Sequence, residues 1–194
     1  GHPFDGFWDL IHEKRGSIAA ANTILIAVLL IRIWRSQMTN FMFIMYRPQS
    51  FNVLMCCLEI LVPIVIGCIS NWCLTTLFDG KGTLKSIYMA VCYAYTPYVL
   101  LQLPMIFISN IVTAEEGIFW AYMDRFTDIW IAILILSAMM MIHDYSLGKA
   151  IFAAIATAVG MLIIIFILLL FFSLISDGFA YFISLYKEIA FRFY

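Results

Sequence analysis

Residues 150–175 read AIFAAIATAVGMLIIIFILLLFFSLI, a run of 26 residues without a charged side chain. A helix needs about 20 apolar residues to cross a hydrocarbon core about 30 Å thick. Because lipid offers the backbone no hydrogen-bond partners, such a run must satisfy its own peptide groups by forming a helix. This stretch decides the fold, since it predicts a transmembrane helix and places the chain in a membrane.

The composition agrees with a chain that crosses the membrane several times. Of the 194 residues, 64% are hydrophobic and 12% are charged, whereas a soluble domain is about 45–50% apolar and about 25% charged. The 11 Lys and Arg residues nearly balance the 12 Asp and Glu residues, so the chain has no basic excess to neutralise phosphates. These figures exclude a soluble globular domain, a disordered chain and a nucleic-acid-binding module.

Apolar stretches separated by short polar links define five predicted spans. Their bounds are about 17–33, 52–77, 86–111, 120–142 and 150–175. The link at 79–82, DGKG, is a strong turn signal, and Thr113 with Glu116 has the spacing of a capping box at the start of the fourth helix. Short links make consecutive helices antiparallel neighbours. We therefore predict an all-α membrane fold with five transmembrane helices in a compact bundle.

Both ends of the chain are predicted to lie at the membrane interface. Residues 1–16 mix aromatic with acidic side chains, and residues 177–194 combine aromatic side chains with a few charges, a composition typical of headgroup depth. The predicted organisation is an interfacial segment at 1–16, a transmembrane domain at 17–176 and a second interfacial segment at 177–194.

An aromatic stretch follows the first span. It is too short to cross the membrane and too apolar to lie in water, so we expect it to enter the interface or to pack on a partner. The candidate partner-binding side chains are Phe41, Phe43 and Tyr46.

Three polar side chains inside the predicted spans form a candidate intramembrane site: Glu59, Asn71 and Gln102. A carboxylate near the middle of a span costs about 2.5–3.5 kcal/mol on insertion scales. Glu59 must therefore face protein, a cavity or a cation. One interpretation is a proton or ion pathway. The other, which we favour, is a hydrogen bond or ion pair within the bundle or at a partner interface.

Prolines are expected to bend two of the spans. Pro63 leaves the carbonyl of Glu59 without its usual helical donor, which predicts a kink beside a polar pocket. Pro97 and Pro104 are seven residues apart and lie near one face of the third helix. They predict a fixed bend that shapes the bundle, with a gating hinge as the alternative.

The fourth helix carries polar residues at both ends. Asp124 and Asp128 lie one turn apart. We expect them to be solvated in the first turns, where acids complement the helix dipole; binding of a cation is the alternative. At the other end, the side chains of the sequence HDYS at 143–146 lie too close along the chain to converge as a Ser–His–Asp relay. We predict that His143 caps the last carbonyls of this helix.

No sequence motif for catalysis is recognisable. We therefore expect a non-enzymatic protein with no catalytic residue, no cofactor and no metal site. Small residues in the fifth span predict close helix packing. They are Ala150, Ala154 and Ala158 at intervals of four residues, together with the pair Ala156 and Gly160.

The order of these features resembles bacterial members of the Yip (Ypt-interacting-protein) family, which are five-span membrane proteins. The matching pieces are PFDGFWDL at 3–10, NWCLTTL at 71–77, DGKG at 79–82, YAYTP at 93–97, EEG at 115–117 and HDYS at 143–146. The likeness covers nearly the whole chain. By this resemblance, the N-terminus lies in the cytoplasm.

The resemblance implies a multi-pass protein of the cell membrane that contacts lipid. Bacterial relatives are often encoded near sugar importers of the ATP-binding-cassette (ABC) type, so the expected role is an accessory or scaffold subunit, with the importer's permease subunits as the first candidate partner. One alternative is a small transporter or proton pathway that uses Glu59. Another is a trafficking adaptor, since eukaryotic members look like adaptors for lipid-anchored small GTPases, although their cytoplasmic N-terminal region is longer than the one here.

Overall fold

A computed structural model describes residues 3–12, 16–39, 52–75, 77, 79–113 and 116–193. The regular elements in these residues are all α-helices. They are α1 (Pro3–His12), α2 (Ile18–Met38), α3 (Val53–Thr75), α4 (Leu84–Ala94), α5 (Thr96–Ile108), α6 (Gly117–His143) and α7 (Leu147–Phe193).

Five stretches of helix are long and apolar enough to cross a membrane: α2, α3, the consecutive pair α4–α5, α6 and α7. They pack as a bundle in which α3 contacts α2, α4 and α7, while α6 contacts α4, α5 and α7. The predicted all-α fold with five spans in a bundle is confirmed.

The third span is divided at Tyr95, which separates α4 from α5. Its backbone N–H bonds the carbonyl of Cys92 at 3.2 Å, and Pro97 lies in the first turn of α5. A proline fits a first helical turn, because its missing N–H has no intrahelical acceptor there. Pro63 and Pro104 instead lie inside α3 and α5, which continue past them.

Helix α2 extends beyond the predicted end of the first span. It begins after Ser17, whose hydroxyl accepts a hydrogen bond from the Ala19 N–H at 3.2 Å, and it ends at Met38 instead of near residue 33. Arg32 and Arg35 therefore both lie within helix α2. Their side chains can be directed at neighbouring helices.

Helix α7 is continuous over 47 residues, which corresponds to about 70 Å at 1.5 Å per residue. The sequence predicted a span that ends near residue 175 and a separate segment from Asp177. The helix instead runs through Asp177 and Gly178. A glycine in a helix costs only about 1 kcal/mol, so the apolar residues on both sides can carry the helix across it. The interfacial position of residues 177–193 stays a prediction.

Two of the apolar clusters form where α1 packs against the bundle. Phe7 of α1 packs in a cluster with Ile64, Ala90 and Ile142, which come from α3, α4 and α6. Leu10 of α1 joins a second cluster with Ala21, Met89 and Cys92. Helix α1 is thus held against the bundle by apolar burial. All five cysteines lie in the described residues, and none of them forms a disulfide.

The first third of α7 docks on the bundle. Ala150 and Ala154 pack with Met139 and Tyr145, at the end of α6. Of the other small residues, Ala156 is half-buried and Ala158 is exposed.

Gly160 lies against α3. A Cβ atom at Gly160 would collide with the Ser70 hydroxyl, which donates a hydrogen bond to the Thr157 carbonyl at 2.9 Å. The close approach of α3 and α7 therefore depends on the absence of a side chain at Gly160.

We expect Gly160→Ala to lower the melting temperature of the purified protein in detergent. The added methyl group must displace the Ser70 side chain, and overpacking of this kind costs about 1–3 kcal/mol. The matched control is Gly148→Ala, in the first turn of α7, where a Cβ would meet nothing within 4 Å. An equal, small change in both variants would contradict the close packing at Gly160.

Candidate functional site

An ion pair joins α2 to α3 at one end of the bundle. The Arg32 guanidinium donates from Nη2 to Glu59 Oε2 at 2.8 Å. Both side chains remain partly exposed in the isolated chain. Glu59 therefore faces a cation on the neighbouring helix, which is the arrangement favoured from the sequence.

A second ion pair joins α2 to α6. Arg35 Nη2 lies 2.5 Å from Asp124 Oδ2, and Gln102 of α5 donates from Nε2 to Asp124 Oδ1 at 2.8 Å. The guanidinium also lies 5.6 Å from the centre of the Trp120 ring, within range of a cation–π interaction. Asp124 is thus an interhelical acceptor and not the solvated first-turn acid that the sequence suggested. We call Arg32, Arg35, Glu59, Gln102 and Asp124 the ionic cluster.

A cavity of about 470 Å³ opens beside the ionic cluster. Its polar lining consists of Arg32, Glu59, Asp128 and the rings of Tyr95 and Tyr98, and its apolar lining consists of Ile60, Ile131, Ala132 and Ile135. Asp128 pairs only loosely, at 4.0 Å, with Arg125 on its own helix. The cavity therefore combines an ion pair, a further carboxylate and an apolar wall.

Two polar atoms beside this cavity are buried without a well-formed hydrogen bond to the described residues. They are the hydroxyl oxygen of Tyr98 and Oε1 of Gln102, and the two side chains lie one turn apart on α5. A buried polar atom without a hydrogen bond costs about 1–3 kcal/mol. The Arg32 and Arg35 guanidinium groups face the Tyr98 hydroxyl, but no described group donates a hydrogen bond of good geometry to it.

A different polar cluster lies at the other end of the bundle. His143, only 2% exposed, accepts a hydrogen bond at Nδ1 from the Gly82 N–H at 3.2 Å, and its Nε2 lies 2.9 Å from Asn71 Oδ1. Since Nδ1 is an acceptor, Nε2 carries the proton and donates to Asn71. Asn71 in turn donates to the Thr157 hydroxyl at 3.2 Å. We call Asn71, Gly82, His143 and Thr157 the histidine cluster.

His143 does not cap the carbonyls of α6, because both of its ring nitrogens are used elsewhere. The helix ends instead at Asp144, which has a left-handed backbone (φ 55°) and whose N–H bonds the Met140 carbonyl. The side chain of Asp144 pairs with Lys81 at 2.9 Å.

The DGKG turn packs closely on the loop between α6 and α7. A Cβ at Gly80 would lie 2.6 Å from His143 Nδ1 and 2.6 Å from the Tyr145 hydroxyl, so a side chain at Gly80 would push the two loops apart. The Tyr145 ring stacks on His143 with centroids 5.0 Å apart. Burial raises the pKa of the Tyr145 hydroxyl, and the Asp79 carboxylate raises it further. The histidine cluster thus joins the two loops to α3 and α7.

The structure does not bring the three candidate polar residues into one site. Glu59 and Gln102 belong to the ionic cluster, whereas Asn71 belongs to the histidine cluster. Twelve residues of α3 separate Glu59 from Asn71, a distance of about 18 Å along the helix. The proposed partner residues Phe41, Phe43 and Tyr46 lie outside the described residues.

The first span was predicted to end near residue 33, so the interhelical partners of Arg32 and Arg35 were not predicted. The signal was present, because an acid inside a span requires a cation and these two arginines lie three residues apart on one face of a helix. Which acid each arginine would meet could not be derived, since that depends on how α2 packs against α3 and α6.

We expect His143→Ala to lower the melting temperature in detergent by removing the centre of the histidine cluster. The change leaves the buried Asn71 carbonyl oxygen and the Gly82 N–H without their partner, and each such loss costs about 1–3 kcal/mol. Asn71→Ala should cost less once His143 has been replaced, since the two share one interaction. Strictly additive losses in the double variant would show that the hydrogen bond contributes nothing.

Arg35→Gln should destabilise the protein by about 1–3 kcal/mol, because it leaves the Asp124 carboxylate without its cation in a site where the two side chains are 18% and 28% exposed. The double variant Arg35→Gln/Asp124→Asn should recover part of this loss. The control is Arg125→Gln, since Arg125 is 81% exposed and should shift the melting point little. Thermal unfolding in detergent measures all three, and equal effects at Arg35 and Arg125 would contradict the interhelical pair.

Comparison with known proteins gives one match. The family model of the Yip1 domain matches residues 2–171, which includes α1 through the first half of α7. A search of curated proteins and a search of solved structures each found no significant match. Because the matched region is most of the chain and contains both polar clusters, the protein belongs to the Yip1 domain family of membrane proteins.

Proposed function

We propose that this protein is a non-enzymatic accessory or scaffold subunit of the cell membrane that binds another integral membrane complex. The observation that carries the proposal is the second part of α7. From Leu162 to Arg192, no residue of this helix is buried against the rest of the described chain. A long apolar surface is therefore available to something outside the bundle.

The length of α7 argues for a protein partner in addition to lipid. The helix extends over about 70 Å, whereas a bilayer with its headgroups is about 40–45 Å thick. If its first turn lies at one interface, as Lys149 suggests, a straight α7 projects about 25 Å beyond the opposite interface. Lipid alone does not cover side chains at that height.

The projecting part of α7 has an amphipathic pattern. Phe179, Phe182 and Tyr186 fall on one face, and Ile183 and Ile189 flank them. The polar residues Ser184, Lys187, Glu188 and Arg192 lie on the opposite face, which they share with Tyr181 and Phe191. An apolar stripe at this spacing is the pattern of a helix that docks in a groove or against another helix.

The permease pair of an ABC sugar importer remains our first candidate partner. This choice comes from the family resemblance. The proposed geometry suits such a complex, because two multi-pass proteins can associate inside the bilayer while α7 contacts a part of the partner beyond it.

Transport through the bundle is the less favoured alternative. Glu59 lies 2.8 Å from the Arg32 guanidinium, so its carboxylate already has a cationic partner within the bundle. Asn71 lies about 18 Å away along α3, so the polar residues form no continuous row between the two ends. The adaptor role of eukaryotic relatives would require a GTPase-binding surface, and no contact described above favours one.

We expect the combined variant Phe179→Ala/Phe182→Ala/Tyr186→Ala to lose its partner. The test is purification of the tagged full chain from native membranes in mild detergent, with a stoichiometric multi-pass protein as the expected companion. Removing three aromatic anchors should reduce the companion by tenfold or more, since about 1.4 kcal/mol corresponds to a tenfold change in affinity and aromatic anchors dominate interfaces.

The matched control is Ser184→Ala/Lys187→Ala/Glu188→Ala, which truncates three side chains on the opposite face and should retain the companion. A clean monomer from the unaltered chain under the same conditions would contradict the scaffold role. Flux measurements in reconstituted vesicles test the transport alternative. A substrate or proton flux that Glu59→Gln abolishes would favour transport.

A further inference from the structure

The charged end of the cavity beside the ionic cluster lies near the level of the lipid headgroups, whereas Tyr95 and Ile131, near the middle of their spans, line its deeper part. Arg32 is six residues before the end of α2, and Glu59 is six residues after the start of α3, so each lies about 9 Å from its helix end. The headgroup layer is about 5–7 Å thick on each side of the hydrocarbon core. The ion pair therefore sits close to the boundary between headgroups and acyl chains.

The lining of this cavity has both charges and a net negative sign. Arg32 contributes one positive charge, while Glu59 and Asp128 contribute two negative charges. Arg32 uses one N–H toward Glu59, and its guanidinium has further donors for a second anionic group. Asp128 has no closer cation among the described residues than Arg125, at 4.0 Å. This lining suits a ligand that carries an ammonium and a phosphate together.

The tyrosines and the apolar wall add a second kind of complementarity. The rings of Tyr95 and Tyr98 line the cavity, and aromatic faces attract cations. Ile60, Ile131 and Ile135 continue the surface with aliphatic side chains. A molecule with a charged head and an apolar body matches this division.

Tyr98 gives an independent indication of a ligand. The residue is only 9% exposed and lines the cavity. The Arg32 and Arg35 guanidinium groups face its hydroxyl, but neither donates a hydrogen bond of good geometry to it. Buried hydroxyl groups nearly always have a partner. A polar ligand in the cavity would supply one.

We propose that this cavity binds the headgroup of a zwitterionic phospholipid with a primary ammonium, as in phosphatidylethanolamine. The ammonium donates hydrogen bonds to Asp128 and lies over the tyrosine rings. The phosphate accepts from Arg32 and from the Tyr98 hydroxyl, and the acyl chains follow the isoleucine wall. A quaternary ammonium has no N–H to donate to Asp128, and phosphatidylglycerol has no cation at all, so the site distinguishes the three headgroups.

Native mass spectrometry of the detergent-purified full chain tests this assignment. The protein is mixed with equal amounts of phosphatidylethanolamine, phosphatidylcholine and phosphatidylglycerol that have the same acyl chains. We expect the ethanolamine lipid to be retained at least fivefold more than either of the others. Asp128→Asn should reduce its retention to the level of the other two lipids.

The matched control is Asp177→Asn, which removes an acid on α7 away from the cavity and should leave the preference unchanged. The melting temperature of Asp128→Asn verifies that the variant is folded. Equal retention of the three lipids would overturn the proposal, as would a preference for the ethanolamine lipid that survives in folded Asp128→Asn.

Competition with soluble phosphoethanolamine tests whether the cavity binds a membrane lipid or a free headgroup in water. If it displaces the bound lipid in proportion to its concentration, the headgroup alone carries recognition and an aqueous ligand can use the site. If the lipid resists displacement while the Asp128 dependence holds, the acyl chains on the isoleucine wall contribute and the occupant is a membrane lipid.

Discussion

The structure depends on one constraint of the bilayer, namely that a polar group inside it must find a partner within the protein. In water, Glu59 or Asp124 would be solvated at little cost. In lipid, each is held by an arginine of α2, so that helix is tied to α3 through one acid and to α6 through the other. Polar residues that look unfavourable in a transmembrane sequence thereby become the contacts that orient the helices.

The two polar clusters connect the helices at opposite ends of the bundle. The ionic cluster joins α2, α3, α5 and α6 by charges near one interface. The histidine cluster joins α3, α7 and the two loops by neutral hydrogen bonds near the other interface. Between them lies a second cavity of about 250 Å³, lined mostly by apolar side chains such as Ile64, Ile135 and Met161. Because the two clusters share no residue, the cavity at the charged end can hold a ligand without disturbing the hydrogen bonds that fasten α7.

Helix α7 has a different relation to the fold from the other spans. Its first third is fastened by Ala150, Thr157 and Gly160, whereas no residue from Leu162 to Arg192 is buried against the described chain. This division explains why the same helix can serve both the bundle and a partner. The small residues that allow close helix packing lie in the first third of α7. The large apolar side chains beyond Met161 therefore form a continuous exposed surface.

The sequence by itself determined the membrane class, the five spans and their order, because apolar runs of sufficient length with few charges are stable in lipid only as helices. It also indicated that Glu59 needs a cation, without indicating which one. Only the tertiary structure decided that Arg32 meets Glu59 while Arg35 meets Asp124, that Asn71 belongs with His143, and that α7 continues through Gly178. Those outcomes depend on the rotation and depth at which helices pack. The rotation and depth of each helix are set by side chains from distant parts of the chain. The hydrophobic pattern of a single segment therefore does not predict them.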